Sequence, residues 1–121
     1  MRRAFLFGLM GLAVLAGGCA SASAQQEEPA RYRGLYVFGF ETSTFVPDGA
    51  DRGWWVEATP EARHALHAAA LPRPQPHDAI FVRAEVEGEL SPPGQYGHLG
   101  AYERTLTITR VISAVGERAP R

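Results

Sequence analysis

The most regular alternation of polar and apolar positions lies between Ala79 and Ile112. Within Ile80–Leu90, Arg83, Glu85, Glu87 and Glu89 occupy every second position, which predicts a strand with one charged, solvated face. Ser91 to Gly100 (Ser-Pro-Pro-Gly-Gln-Tyr-Gly-His-Leu-Gly) then reads as a loop, and Ala101 to Ile112 as a second strand. Upstream, Tyr32, Gly34, Tyr36, Phe38 and Phe40 alternate with Arg33, Leu35, Val37 and Gly39. Both faces carry apolar members, so the spacing predicts a central or strongly curved first strand. Gly34 and Gly39 inside it mark bulges or sharp bends.

Thr42 to Val46 is a short second strand, closed by the turn signal Pro47-Asp48-Gly49. Trp54 to Ala58 is a third, with Trp54 and Val56 on one side and Trp55 and Glu57 on the other. Thr59-Pro60-Glu61 is a helix start: an N-capping hydroxyl, a proline whose missing N–H costs nothing there, and an acid near the positive end of the dipole. That helix is predicted to reach Leu71, where Pro72 stops it. Ala62, Leu66, Ala69 and Ala70 give it a thin apolar stripe suited to plugging or lying against a barrel. Pro72 to Pro76 is a stiff extended linker.

The order is strand, strand, strand, helix, strand, strand. The fold class is therefore mainly β: a small OB-like five-stranded barrel with one helix between the third and fourth strands. A different small β-barrel or an α+β roll is the alternative.

The N-terminus changes how much of the 121 residues counts as domain. Arg2 and Arg3 precede the apolar run Ala4 to Leu15, and small residues follow. The run is shorter than the roughly 20 residues a membrane-crossing helix needs, so residues 1–18 read as a signal peptide. Leu15-Ala16-Gly17-Gly18-Cys19 resembles a bacterial lipobox, although Ala16 stands where leucine is usual. Ala22-Ser23-Ala24 offers ordinary signal peptidase a competing site. Cys19 is the only cysteine, and lipidation would leave no unpaired thiol on an exported protein. Lipidation at Cys19 and an outer-membrane address facing the periplasm are expected; cleavage after Ala24, giving a soluble periplasmic or secreted protein, is the alternative. Residues 19–31 read as a lipidated, disordered tether, 32–115 as one β-barrel domain and 116–121 as a frayed tail.

Charge and composition narrow the partners. Every basic residue is arginine, and removing Arg2 and Arg3 takes the formal charge from −1 to −3. A mildly acidic domain lacks the basic footprint of a nucleic-acid binder. The expected partners are the membrane, through the lipid anchor, and an envelope protein.

Candidate chemistry is sparse. Tyr96, His98 and Tyr102, separated by Gly94, Gly97 and Gly100, form the most distinctive string. They either line a small-molecule, sugar or peptide site or pack over one end of the barrel. Trp54 and Trp55 invite a stacking role, but neighbours in a strand face opposite ways, so only one can enter the core. His64 and His67, three apart on the helix, share a face without a third metal ligand fixed by spacing, Glu61 and His98 being the nearest options. Two solvent-facing histidines are expected, and neither metal nor cofactor is assigned. Glu85, Glu87 and Glu89, with Arg83 in line and Glu103 and Arg104 across the hairpin, read as a solvated face with cross-strand ion pairs rather than an acid–base pair. There is no serine elbow, metalloprotease helix, P-loop or catalytic cysteine in the chain.

Three stretches carry a resemblance: Gly34 to Phe45 (Gly-Leu-Tyr-Val-Phe-Gly-Phe-Glu-Thr-Ser-Thr-Phe), Trp54-Trp55-Val56, and Gly94 to Tyr102. Together they resemble small bacterial envelope lipoproteins and, more distantly, the OB-like C-terminal domain of NlpE-type lipoproteins, which act in envelope-stress and surface sensing. The resemblance spans most of the mature chain and implies address and fold more than activity. In those relatives a cysteine often follows the Phe-x-Pro segment. Asp48 follows Phe45-Val46-Pro47 here, so no thiol-based metal or redox role carries over. The expectation is a non-catalytic envelope lipoprotein serving as an interaction or sensing module. A periplasmic small-molecule or metal-binding module using the Tyr96–His98 loop is the alternative.

Overall fold

A computed structural model describes residues 29–120. The signal segment, Cys19 and nearly all of the expected tether lie outside the described residues. Five strands, β1 (Ala30–Gly39), β2 (Thr42–Pro47), β3 (Trp54–Ala58), β4 (Ile80–Leu90) and β5 (Thr105–Glu117), close into a barrel in the order β1-β2-β3-β5-β4. One helix, α1 (Pro60–Ala69), lies between β3 and β4. This is the expected OB-like architecture. All neighbours are antiparallel except β3 and β5, which run parallel.

The core follows from strand alternation. Ile80, Val82, Ala84 and Val86 of β4 point inward, meeting Tyr36, Phe45, Val56, Leu106 and Ile108. β1 pairs with both β2 and β4 along the same residues, Gly34 to Phe38, so it is a central strand of the barrel wall. Gly34 permits the β1–β2 approach: a Cβ there would stand 2.2 Å from the carbonyl oxygen of Val46. β4 and β5 slip register at Glu85/Val86 and Glu87/Gly88, the kind of irregularity that bends a small sheet toward closure.

Thr59 caps α1 through its hydroxyl, which accepts from Ala62 N at 3.2 Å. Leu66 and Ala62, the deepest part of the apolar stripe, join the barrel core. The helix ends at Ala69, short of the expected Leu71. The residue before a proline is sterically pushed out of the α region, and the chain has already turned extended at Ala70 (φ −67°, ψ 147°).

The strand boundaries also need correction. β1 begins at Ala30, inside the expected tether, where Ala30 and Arg31 pair with Gly88 and Glu87. β5 starts at Thr105 rather than Ala101, because residues 101–104 belong to the preceding loop. It then runs through the expected tail to Glu117, which pairs with Phe81.

On the outer face of β4, Arg33 meets Glu85 at 3.4 Å, and Arg31 and Arg110 meet Glu87 at 3.3 Å each. Arg83 bridges Asp48 and Glu117 at 2.8 Å each. The face is a solvated ion-pair array, as expected, with Arg83 of β4 in it; the cations that meet Glu85 and Glu87 come from β1 and β5. The expected contributors Glu103 and Arg104 are not among them: Arg104 donates instead to the carbonyl of Ser91 at 3.0 Å.

Candidate functional site

The β4–β5 loop, residues 91–104, is a strap folded onto the barrel's outer surface. Its base is a small antiparallel bridge, in which Tyr96 N donates to Tyr102 O at 2.8 Å and Tyr102 N to Tyr96 O at 3.1 Å. The Tyr96 hydroxyl donates to Pro92 O at 2.9 Å, so its polar end is used within the loop.

Gly97 brings the strap onto Trp55. Its backbone (φ 72°, ψ −156°) lies in a region open almost only to glycine, and a Cβ would come within 2.5 Å of the indole. Tyr102 flanks the same indole at 5.4 Å between ring centroids, and its hydroxyl lies 3.1 Å from Thr44 Oγ1. Phe45 points into the core, so Thr44 must point outward, yet Thr44 is only 8% exposed because the strap covers it.

Trp54 faces the other way. It stacks on Phe45 at 6.4 Å and meets the edge of Tyr32 at 5.3 Å, at the border of the core. Of the five candidate binding residues, Tyr96, Tyr102, Trp54 and Trp55 are thus half-buried and engaged inside the domain. His98 is exposed, and its Nε2 lies 3.4 Å from Glu41 in the β1–β2 turn, an ion pair only when the imidazole is protonated. Beside this contact are the domain's two most exposed large apolar side chains, Phe40 (83%) and Leu99 (88%). Sequence reading passed over both, Phe40 because it completes an apolar period and Leu99 because it lies among glycines.

The helix histidines divide. His64 is exposed, whereas His67 is half-buried, packed on Phe38 at 4.6 Å with Nε2 3.1 Å from the Tyr36 hydroxyl. The expected pair of solvent-facing histidines is corrected on this point: His67 continues the side of α1 that meets the barrel. Burial, reinforced by the Arg63 and Arg73 cations, lowers its pKa from the usual histidine value. Burial pushes the Tyr36 phenol up to about 12, against the lowering influence of Arg63 and Ser43. Among the described residues no three His, Cys, Asp or Glu side chains converge to hold a metal.

Comparison with protein-family models, with curated proteins and with solved structures finds no match to this chain.

Proposed function

We propose that the protein is a non-catalytic envelope lipoprotein whose barrel is an interaction or sensing module, tethered through Cys19 and facing the periplasm. The likeness to NlpE-type lipoproteins belongs to the same proposal. The observation that carries the reading is how the strap spends its polar groups. Tyr96 and Tyr102, the residues best suited to hold a small ligand, are bonded to Pro92 and Thr44, while Phe40 and Leu99 are left in water. Exposed apolar side chains grouped on ordered loops suit a macromolecular partner better than a small polar solute.

Address and ligand are tested separately. Cys19→Ala is expected to abolish globomycin-sensitive processing and to release the protein from the membrane fraction; unchanged processing and fractionation refute the anchor. A thermal-shift screen of the purified full chain with sugars and divalent metals is expected to leave Tm unmoved. A saturable upward shift that Tyr96→Phe or His98→Ala abolishes would replace the interaction reading with a ligand-binding one.

A further inference from the structure

The outer face of β4 is charged at Arg83, Glu85, Glu87 and Glu89, yet Phe81, the earlier member of the same alternation, is apolar and half-buried. The segment that follows α1 accounts for the difference. Residues 70–79 run from the helix back to Ile80 alongside the start of β4 and the end of β5, and a cavity of about 760 Å³ lies between them. Leu71, Pro72, Pro74, Ala79, Phe81 and Ala119 supply its apolar walls. That volume is within the roughly 300–1,000 Å³ of small-molecule sites, which are likewise mostly apolar with a few polar groups.

The walls are held in place. At the helix exit the chain presses on Gly116 of β5, where a Cβ would stand 2.4 Å from Ala69 O and 2.8 Å from Leu71 N. At the other end Ala79 lies against Gly39 of β1, where a Cβ would stand 3.0 Å from the Ala79 Cβ. In between, Gln75 N donates to Asp78 Oδ2 at 3.0 Å and Asp78 N to Gln75 O at 3.1 Å, closing a turn. Pro72, Pro74 and Pro76 restrict the remaining backbone. A segment fixed this way needs little ordering by a ligand, which removes one of the costs of binding.

The charged groups at the cavity are unequally engaged. Glu117 is held by Arg83 at 2.8 Å, and one carboxylate oxygen of Asp78 is taken by Gln75 N. Arg73 and Arg118 make no ion pair among the described residues, and Arg73 reaches only the Asp78 carbonyl, at 3.4 Å. A sugar would leave the apolar walls unused, and a divalent cation would be repelled by two guanidiniums. An apolar tail with an anionic head uses both, since guanidinium binds carboxylate and phosphate alike. We infer that this cavity binds a single-chain amphiphile with an anionic head, a fatty acid or a lysophospholipid, its chain against Leu71 and Phe81 and its head at Arg73 and Arg118. The inference rests on the sensing-module reading and gives it a ligand class outside the sugar and metal screen.

The test irradiates the full chain, reconstituted in phosphatidylcholine vesicles, with palmitate carrying a photoreactive diazirine on its chain, and maps the labelled peptides by mass spectrometry. Saturable labelling is expected within residues 71–81 and 117–119, about fivefold stronger than with the matching uncharged alcohol. Arg118→Glu and Leu71→Asp, both at exposed positions, should lower it to a similar degree while circular dichroism stays unchanged. Arg52→Glu, an equal change of charge on the turn before β3, should label as the parent does. Unlabelled palmitate and lysophosphatidylglycerol, added as competitors, separate the two sources of the ligand. Labelling that neither competitor lowers overturns the proposal. So does labelling equal with the alcohol, or unchanged in both Arg118→Glu and Leu71→Asp. If those results came with membrane retention through Cys19 and a silent sugar and metal screen, the cavity site would fall and the module reading would stand. Loss of the module reading would show in that screen instead.

Discussion

Gly97→Ala tests whether the strap is held by its fit to Trp55. The substitution meets two obstacles that the structure separates. The backbone at φ 72°, ψ −156° costs a non-glycine residue about 1–3 kcal/mol. The new methyl group would also stand 2.5 Å from the Trp55 ring, whose position is fixed by Tyr102 on one side and by the barrel wall beneath. A rigid ring cannot yield as a flexible side chain does, so the strap should lift from the indole. The expected loss is about 2–4 kcal/mol, the strain and the overpacking together. Gly49→Ala is the control: Gly49 has φ 82° with nothing within 4 Å of a Cβ, so only the backbone cost of about 1–2 kcal/mol applies. Urea unfolding in a Trp54→Phe background leaves Trp55 as the sole indole and gives both stability and, from native emission, its hydration. Gly97→Ala should lower stability more than Gly49→Ala and red-shift native emission, which Gly49→Ala should leave in place. Equal losses, or an unshifted emission for Gly97→Ala, would refute the packing argument.

Leu66→Ala, at a position with no exposed surface, should cost about 2–5 kcal/mol in chemical denaturation, whereas Ala65→Ser on the exposed side of α1 should be close to neutral. Because the folded protein holds the pKa of His67 below its unfolded value near 6.5, the unfolded chain takes up the proton first as pH falls. The His67 contribution is therefore full above that value and lost as pH drops through and below it, and His67→Gln should flatten urea stability between about pH 7.5 and 5. Arg83→Ala removes both the Asp48 and Glu117 contacts, yet its side chain is half exposed and screened. The expected loss is below about 1 kcal/mol and should shrink further in high salt.

The fold was legible wherever a local rule had one consequence. Thr59-Pro60-Glu61 starts the helix as written, β4 spans Ile80–Leu90 as its alternation implies, and the element order leads to the barrel. Boundaries failed where tertiary partners decide them. Ala101 to Glu103 alternates well enough for a strand but pairs back on Tyr96, and Ser113 to Glu117 carries little apolar signal yet completes the β4 ladder. The strap's aromatic residues were legible as a group. Their engagement was not, since nothing local places Tyr102 beside Thr44, 58 residues earlier. The short β2–β3 register had no sequence signal at all, because it depends on where two strands stop pairing.

The parallel β3–β5 pairing also sets the order in which the domain is assembled. Strands β1 and β2 are joined by a tight turn and can meet early, and β4 can then pair with β1, but β3 has only a two-residue register on β2 until β5 lies beside it. Closing the barrel thus requires contacts between Trp55 and Thr105, fifty residues apart, and such long loops make closure slow relative to local pairing. Until residues 105–117 are available, the inward faces of β3 and β4 have no wall between them. A chain made from its N-terminus therefore closes the barrel only after residues 105–117 have emerged, however early β1 and β2 have paired.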